Sequence, residues 1–232
     1  MGDDVMAQGP GDLAPLQKLE GYDSSGAPAL GPEVPLSPWT LFVAAACALS
    51  SGIALVVTIL AGIDLSLAST FVIVPAFVAF LAVTVIVRRH EQPLFFVRLR
   101  AGLVAGVLGT LAYDGVRFAV EGVGLSSANS FRAIRVFGMG LTAQPIDAPG
   151  AIAAGWTFHA VNGIGFAVAF VMIMAGRPWY WGLLYALALE TAMVTLYPGW
   201  LNMTPSAEFL TLSVLGHFAY GGVIGVIGER CR

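Results

Sequence analysis

Asp114, Arg117, His159, Glu190 and His217, with the amide Asn162, are polar side chains set inside stretches that are otherwise almost wholly apolar. A charged group at membrane depth costs about 2.5 kcal/mol or more on insertion scales, so such groups face a cavity or one another. Asp114 and Arg117 stand three residues apart and can pair along one helical face. Glu190 has no partner on its own segment and needs a proton, Arg117 or a histidine from another helix. His159 and His217 fit several chemistries: a hydrogen-bonded packing network, a titratable relay, or the two axial ligands of a b-type haem. They also fit a mixed nitrogen and oxygen metal site shared with Asp114 and Glu190.

The spacing adds a pattern. An acid-bearing segment (Asp114) precedes His159-x-x-x-Gly163, and another (Glu190) precedes His217-x-x-x-Gly221. Two such hairpins running in the same direction form a parallel-type internal repeat. Small residues share these faces: Gly102, Gly106 and Thr110 with Asp114, Gly155 with His159, Gly182 and Ala186 with Glu190, and Ser213 and Gly225 with His217. In lipid, small residues mark where helices approach closely, so the polar faces point into the packed interior.

Other chemistries are excluded. No lysine lies in an apolar segment, so there is no Schiff-base site, and no phosphate-binding glycine loop or HExxH occurs. Ser213 lacks the glycines of a nucleophile elbow. Cys47 and Cys231 are the only cysteines and make no CxxC. There is no basic patch suited to nucleic acid.

The elements that must position these residues are membrane helices. The chain is 57% hydrophobic and 11% charged, with a mean hydropathy of +0.82, against about 25% charged residues in a soluble domain. About 20 apolar residues cross the hydrocarbon core as a helix, and six segments suffice: 39–61, 67–87, 101–121, 151–174, 179–198 and 207–228. Trp39, Trp156, Trp179, Trp181 and Trp200 fall near their ends, where an aromatic belt belongs. The fold expected is an all-α, polytopic transmembrane bundle of six spans. Residues 1–38, with six prolines and six acids against Lys18, read as a disordered tail. Residues 39–97 read as an apolar two-span hairpin with a basic loop, and 98–232 as a four-span bundle with a polar interior. Arg88, Arg89, Arg98, Arg100, Arg177, Arg230 and Arg232 lie on one side and Arg132 and Arg135 on the other. The positive-inside rule then places both termini in the cytoplasm of a multi-pass plasma (inner) membrane protein.

Residues 122–150 form the one long loop, on the outer side. Phe131, Ile134, Phe137 and Leu141 recur there at helical spacing, with Asn129 or Ser130 as a cap and Arg132 and Arg135 off the apolar face. This predicts an interfacial helix, read either as a tidy connection or as a lid over a site that opens outward.

Four functions fit. The first is ligand binding or proton-coupled transport of a small solute at the acid–histidine site, in a homodimer given the chain's size. The others are electron transfer through a bis-histidine haem, an intramembrane enzyme acting on a lipid or isoprenoid, and a structural subunit of a larger membrane complex.

Overall fold

The computed structural model describes residues 37–124, 131–201 and 206–231. The tail, except for Ser37 and Pro38, and the expected cap at Asn129 or Ser130 lie outside them. Among the described residues there are eight α-helices and no strand: α1 (Pro38–Ala48), α2 (Ser50–Ala61), α3 (Leu65–Arg89), α4 (Pro93–Gly122), α5 (Arg132–Thr142), α6 (Pro149–Met174), α7 (Tyr180–Leu201) and α8 (Ala207–Arg230). Local chemistry sets several boundaries. Proline opens α1, α4 and α6, where its missing N–H is no loss. Ser206 caps α8 by accepting from the Phe209 N–H at 3.1 Å. Gly62, at φ +67°, ends α2 in the left-handed conformation.

Four helices (α3, α4, α6 and α8) are long and apolar enough to cross a membrane, and α1 with α2 makes a fifth if the bent pair counts as one span. Two expectations change. The segment 39–61 is not one straight helix: it breaks at Leu49 and turns by 57°. The cause is tertiary. Ser51 just past the break donates to Asn162 Oδ1 at 2.7 Å, and the Ala48 carbonyl packs onto Gly165, which leaves no room for a side chain there. The loop between the second and third segments is also shorter than expected, because α4 begins at Pro93. Arg98 and Arg100 are therefore helical, and the turn holds only His90, Glu91 and Gln92. The fifth candidate segment is α7, which is helical over Tyr180–Leu201 but is not among the apolar spans. Glu190, three tyrosines and two threonines dilute its hydropathy.

The heart of the molecule is a row of four helices. α4 packs broadly on α6 on one side and α8 on the other, and α8 packs on α7, whereas α6 and α7 scarcely touch. The bent α1–α2 pair lies on α6, and α3 leans on that pair with most of its surface exposed. α5 lies against α6, burying Ile134, Val136 and Phe137 while Arg132 and Arg135 stay exposed. Its expected apolar face is the one that packs. The Arg-rich ends come together: Arg98 donates to the Met172 carbonyl at the end of α6 (2.9 Å), and the Gly176 N–H donates to Gly228 O near the end of α8 (2.9 Å).

Glycine decides how closely α5 approaches. A side chain on Gly138 would collide with the Ala151 carbonyl, and one on Gly155 with the Ile134 carbonyl, so the two helices cross backbone to backbone. Overpacking of this kind costs about 1–3 kcal/mol, and backbone on both sides cannot yield as a side chain would. Gly155→Leu is expected to lower the unfolding temperature in detergent markedly. Gly115→Leu, at a helical position with open space around it, is expected to change it little.

Candidate functional site

The two acids each find the histidine of the next span. Asp114 on α4 receives His159 on α6, with Nε2 at 3.0 Å from Oδ1 and 3.2 Å from Oδ2. Glu190 on α7 meets His217 on α8, with Oε2 at 2.7 Å from Nδ1. Helix register explains both. One turn from the acid–histidine contact, Gly163 (four after His159) packs on Thr110 (four before Asp114). In the second pair, Gly221 (four after His217) packs on Ala186 (four before Glu190), its added Cβ lying 2.8 Å from the alanine methyl. A further turn on, Gly182 and Gly225 approach backbone to backbone. The two hairpins thus repeat the same antiparallel contact, as their spacing in sequence suggests.

The hydrogen bonds select the ring tautomers. His159 Nε2 faces two carboxylate oxygens and so carries the hydrogen, leaving Nδ1 for other partners. His217 Nδ1 faces the Ser213 carbonyl one turn back (2.9 Å) as well as Glu190, so it also carries a hydrogen and leaves Nε2. That hydrogen is directed at the Ser213 carbonyl. The Glu190 contact lies off its line and is chiefly electrostatic. The direct donor to Glu190 is the Ser213 hydroxyl, at 2.7 Å from the same Oε2. Glu190 is 4% exposed, and its second oxygen, Oε1, is buried with no hydrogen-bond partner. The site is therefore lopsided: Asp114 uses both oxygens and Glu190 only one.

Both imidazoles line a single cavity of about 370 Å³. It lies where α6 and α7 separate, with α2 along one edge and α5 across one end. Thr110, Tyr113, Arg117, Asn162, Tyr197 and Tyr220 also reach it, and the rest of the wall is apolar. Asp114 and Glu190 sit behind their histidines and are not part of the wall. Tyr113 contacts both rings, with centroids 5.9 Å from His159 and 4.9 Å from His217. Arg117 donates to the Tyr113 hydroxyl at 3.0 Å, and its guanidinium carbon lies 5.0 Å from the Tyr113 ring centre and 5.1 Å from that of Phe131. Trp156 stands edge-on to His159 at 5.8 Å.

All six residues singled out by sequence fall in or directly behind this cavity. Asn162 serves two purposes, since it also accepts the Ser51 hydroxyl that pins the bent helix. Tyr113 and Ser213 add to the set. Their signal was position: Tyr113 precedes Asp114, and Ser213 stands one turn before His217 on the same face. Arg132 and Arg135 do not line the cavity. Arg135 pairs with Asp147 at 2.7 Å at the surface, and α5 contributes Ala133, Ile134 and Phe137 instead. α5 is a packed roof rather than a loose flap. Its Phe137 meets Phe158, Tyr197 and Trp200, with ring centroids 5.5, 6.2 and 6.0 Å away. Among the described residues no group of three His, Cys, Asp or Glu is placed to hold a metal ion.

Residues 96–232 match a family described as "Family of unknown function (DUF6789)". The chain belongs to that family. The matched region holds both acid–histidine pairs, Tyr113, Arg117 and the roof, whereas α1, α2 and α3 lie before it. No curated protein and no solved structure matches the chain.

Removing one member of a buried charge pair costs about 3–5 kcal/mol because the other is left stranded. His217→Ala is therefore expected to destabilise the protein strongly. The double variant Glu190→Leu/His217→Leu, which leaves neither member of the pair without the other, is expected to lose less than the sum of the single Leu changes. Denaturant unfolding in detergent gives the coupling, and strictly additive losses would show that the two groups do not interact.

Proposed function

We propose that this membrane protein binds a ligand in the α6–α7 cavity and couples binding to proton movement through two carboxylate-backed histidines. One observation carries the reading: both imidazoles face the same cavity, each held from behind by an acid on the neighbouring helix. At His159 the carboxylate fixes the ring's orientation and tautomer, at His217 the Ser213 carbonyl does, and both acids stabilise the imidazolium when it forms, the part played by the acid in catalytic triads. The free nitrogen then accepts a hydrogen bond in the neutral ring and donates one in the charged ring. A ligand atom against it gains or loses a donor as the dyad changes protonation. The unpartnered Oε1 of Glu190 supplies a second place for a proton, behind the ligand and away from it.

The same dyads favour a second reading, in which His159 and His217 act as general bases on the bound molecule. Acid–base catalysis needs a base within hydrogen-bond reach of the substrate, and both rings lie in the wall. Product formation separates this from binding alone.

The proposed setting is a six-span arrangement with α7 as one span, the bent α1–α2 pair as another and both termini cytoplasmic. Arg88, Arg89, Arg98, Arg100, Arg177 and Arg230 cluster toward one end, which favours that end as the cytoplasmic one. A fluorescent protein fused at the C-terminus is expected to fold and glow, and alkaline phosphatase fused there to stay inactive. The converse pattern would reverse the orientation.

Proton coupling is testable by infrared difference spectroscopy of the purified full chain across a pH titration. The carbonyl stretch of a protonated buried carboxylic acid is expected to appear as pH falls, to vanish in Glu190→Gln, and to shift in His217→Gln. A spectrum with no carboxyl signal sensitive to either change would overturn the reading.

A further inference from the structure

The wall of the cavity narrows the class of ligand, and this inference rests on the reading of the acid–histidine cavity as a binding site. A small polar solute would need polar groups around most of its surface. Here polar groups make up only a small part of the wall, His159 and His217 among them, and most of the rest is apolar. The mouth has the same character. The lining contributed by α2 is Ile53, Val56 and Val57 and that by α7 includes Ala192, Met193 and Leu196, and we take the gap between these two helices as the mouth. Val56, Val57, Ala192 and Met193 lie near the middle of their helices, and Ile53 and Ala192 are exposed. α2 and α7 make few contacts with each other, so the gap opens sideways, at the depth where a membrane protein meets lipid tails. At the opposite extreme, the end toward Tyr197 and Trp200 is closed by α5.

Charge narrows it further. A phosphate or carboxylate head is met best by a permanent cation, which an imidazole that gains and loses its proton is not. Arg117 is the arginine in the wall, and it is already engaged: it donates to Tyr113 and lies between the Tyr113 and Phe131 rings. The groups that face a ligand include the Thr110 hydroxyl, buried without a hydrogen-bond partner, and the two imidazole nitrogens not used by the protein. Each nitrogen is a donor or an acceptor according to its proton, which suits a neutral carbonyl or hydroxyl. Size sets the rest. A volume of about 370 Å³ lies near the lower end of small-molecule sites, about 300–1,000 Å³. It holds a head group and a short length of chain, with any longer chain trailing through the gap.

We propose that the ligand is a neutral, membrane-dissolved amphiphile whose carbonyl or hydroxyl head is hydrogen-bonded by His159 and His217, and that it enters from the bilayer between α2 and α7.

The test uses the full chain in lipid nanodiscs and a decanol analogue carrying a diazirine on its chain. After irradiation, labelled peptides are mapped by mass spectrometry. Labelling is expected on the α2 and α7 rim, competed by decanol and by a decyl-substituted benzoquinone but not by decanoate or decyl phosphate. Ala192→Trp, which fills the mouth from an exposed position, and the pair His159→Gln/His217→Gln are each expected to cut rim labelling at least tenfold. Leu108→Trp, on a lipid-exposed face of α4 away from the cavity, is expected to leave it unchanged. Labelling spread over the outer surface with no competition would overturn the proposal, and so would stronger competition by decanoate than by decanol. If the infrared carboxyl signal is present while rim labelling is absent, the ligand class is wrong and the proton-linked site survives. Loss of both removes the site itself.

Discussion

A carboxylate enclosed by apolar helices must be partnered, and in this fold that requirement is met by one histidine from a neighbouring helix, α6 for Asp114 and α8 for Glu190. Asp114 and Glu190 each reach a ring on the neighbouring span, and the contact is feasible only because small residues bring the backbones close one turn away. Gly163 against Thr110 and Gly221 against Ala186 set the sliding position of each antiparallel pair. A larger side chain at either glycine would push the helices apart and separate acid from imidazole. The polar pairs and the small-residue contacts are therefore one constraint, and the α4–α6 and α7–α8 hairpins follow from it.

The cavity comes from a departure from the repeat. If α4 corresponds to α7 and α6 to α8, the broad α4–α8 interface should have a counterpart between α6 and α7. That counterpart is open, and the space left is the cavity. Elements outside the repeat trim it: α2 along the side and α5 across the end. The break at Leu49 is part of this arrangement, since it turns α2 toward the opening while Ser51 and Asn162 hold the bend to α6. The family match begins within α4, so it takes in the repeated hairpins and the roof but not the bent pair that borders the mouth.

Within the cavity the division of labour follows burial. The acids stand behind, the imidazoles in front, and Tyr113 touches both rings while engaging Arg117. Such a wall offers a few directional hydrogen bonds in a mostly apolar lining. Arg117, which reads in sequence as Asp114's partner or as a cation for a ligand, is held by an aromatic pair and a phenol. The Cys231 thiol lies outside this chemistry. It is raised by burial, with Arg98 pulling the other way, and sits just past the end of α8.

Composition and period by themselves determined that the chain is helical and made for lipid, roughly where most of the helices run, though not the early start of α4 or the break at Leu49, and which side chains are costly enough to need partners. Those properties are local: hydropathy, proline and glycine placement, and the helical repeat act within one segment. The amphipathic face of α5 and the polar stripes of α4, α6, α7 and α8 were legible for the same reason. Tertiary structure alone decided the rest. Hydropathy runs unbroken through Leu49, so the bend appears only once Gly165 and Asn162 of α6 are placed beside it. Asp114 has Arg117 one turn away in sequence, and the choice of His159 across the bundle depends on helix register. The side on which the cavity opens depends on the one helix pair that does not close. A sequence records which groups need partners, but distances between helices select those partners.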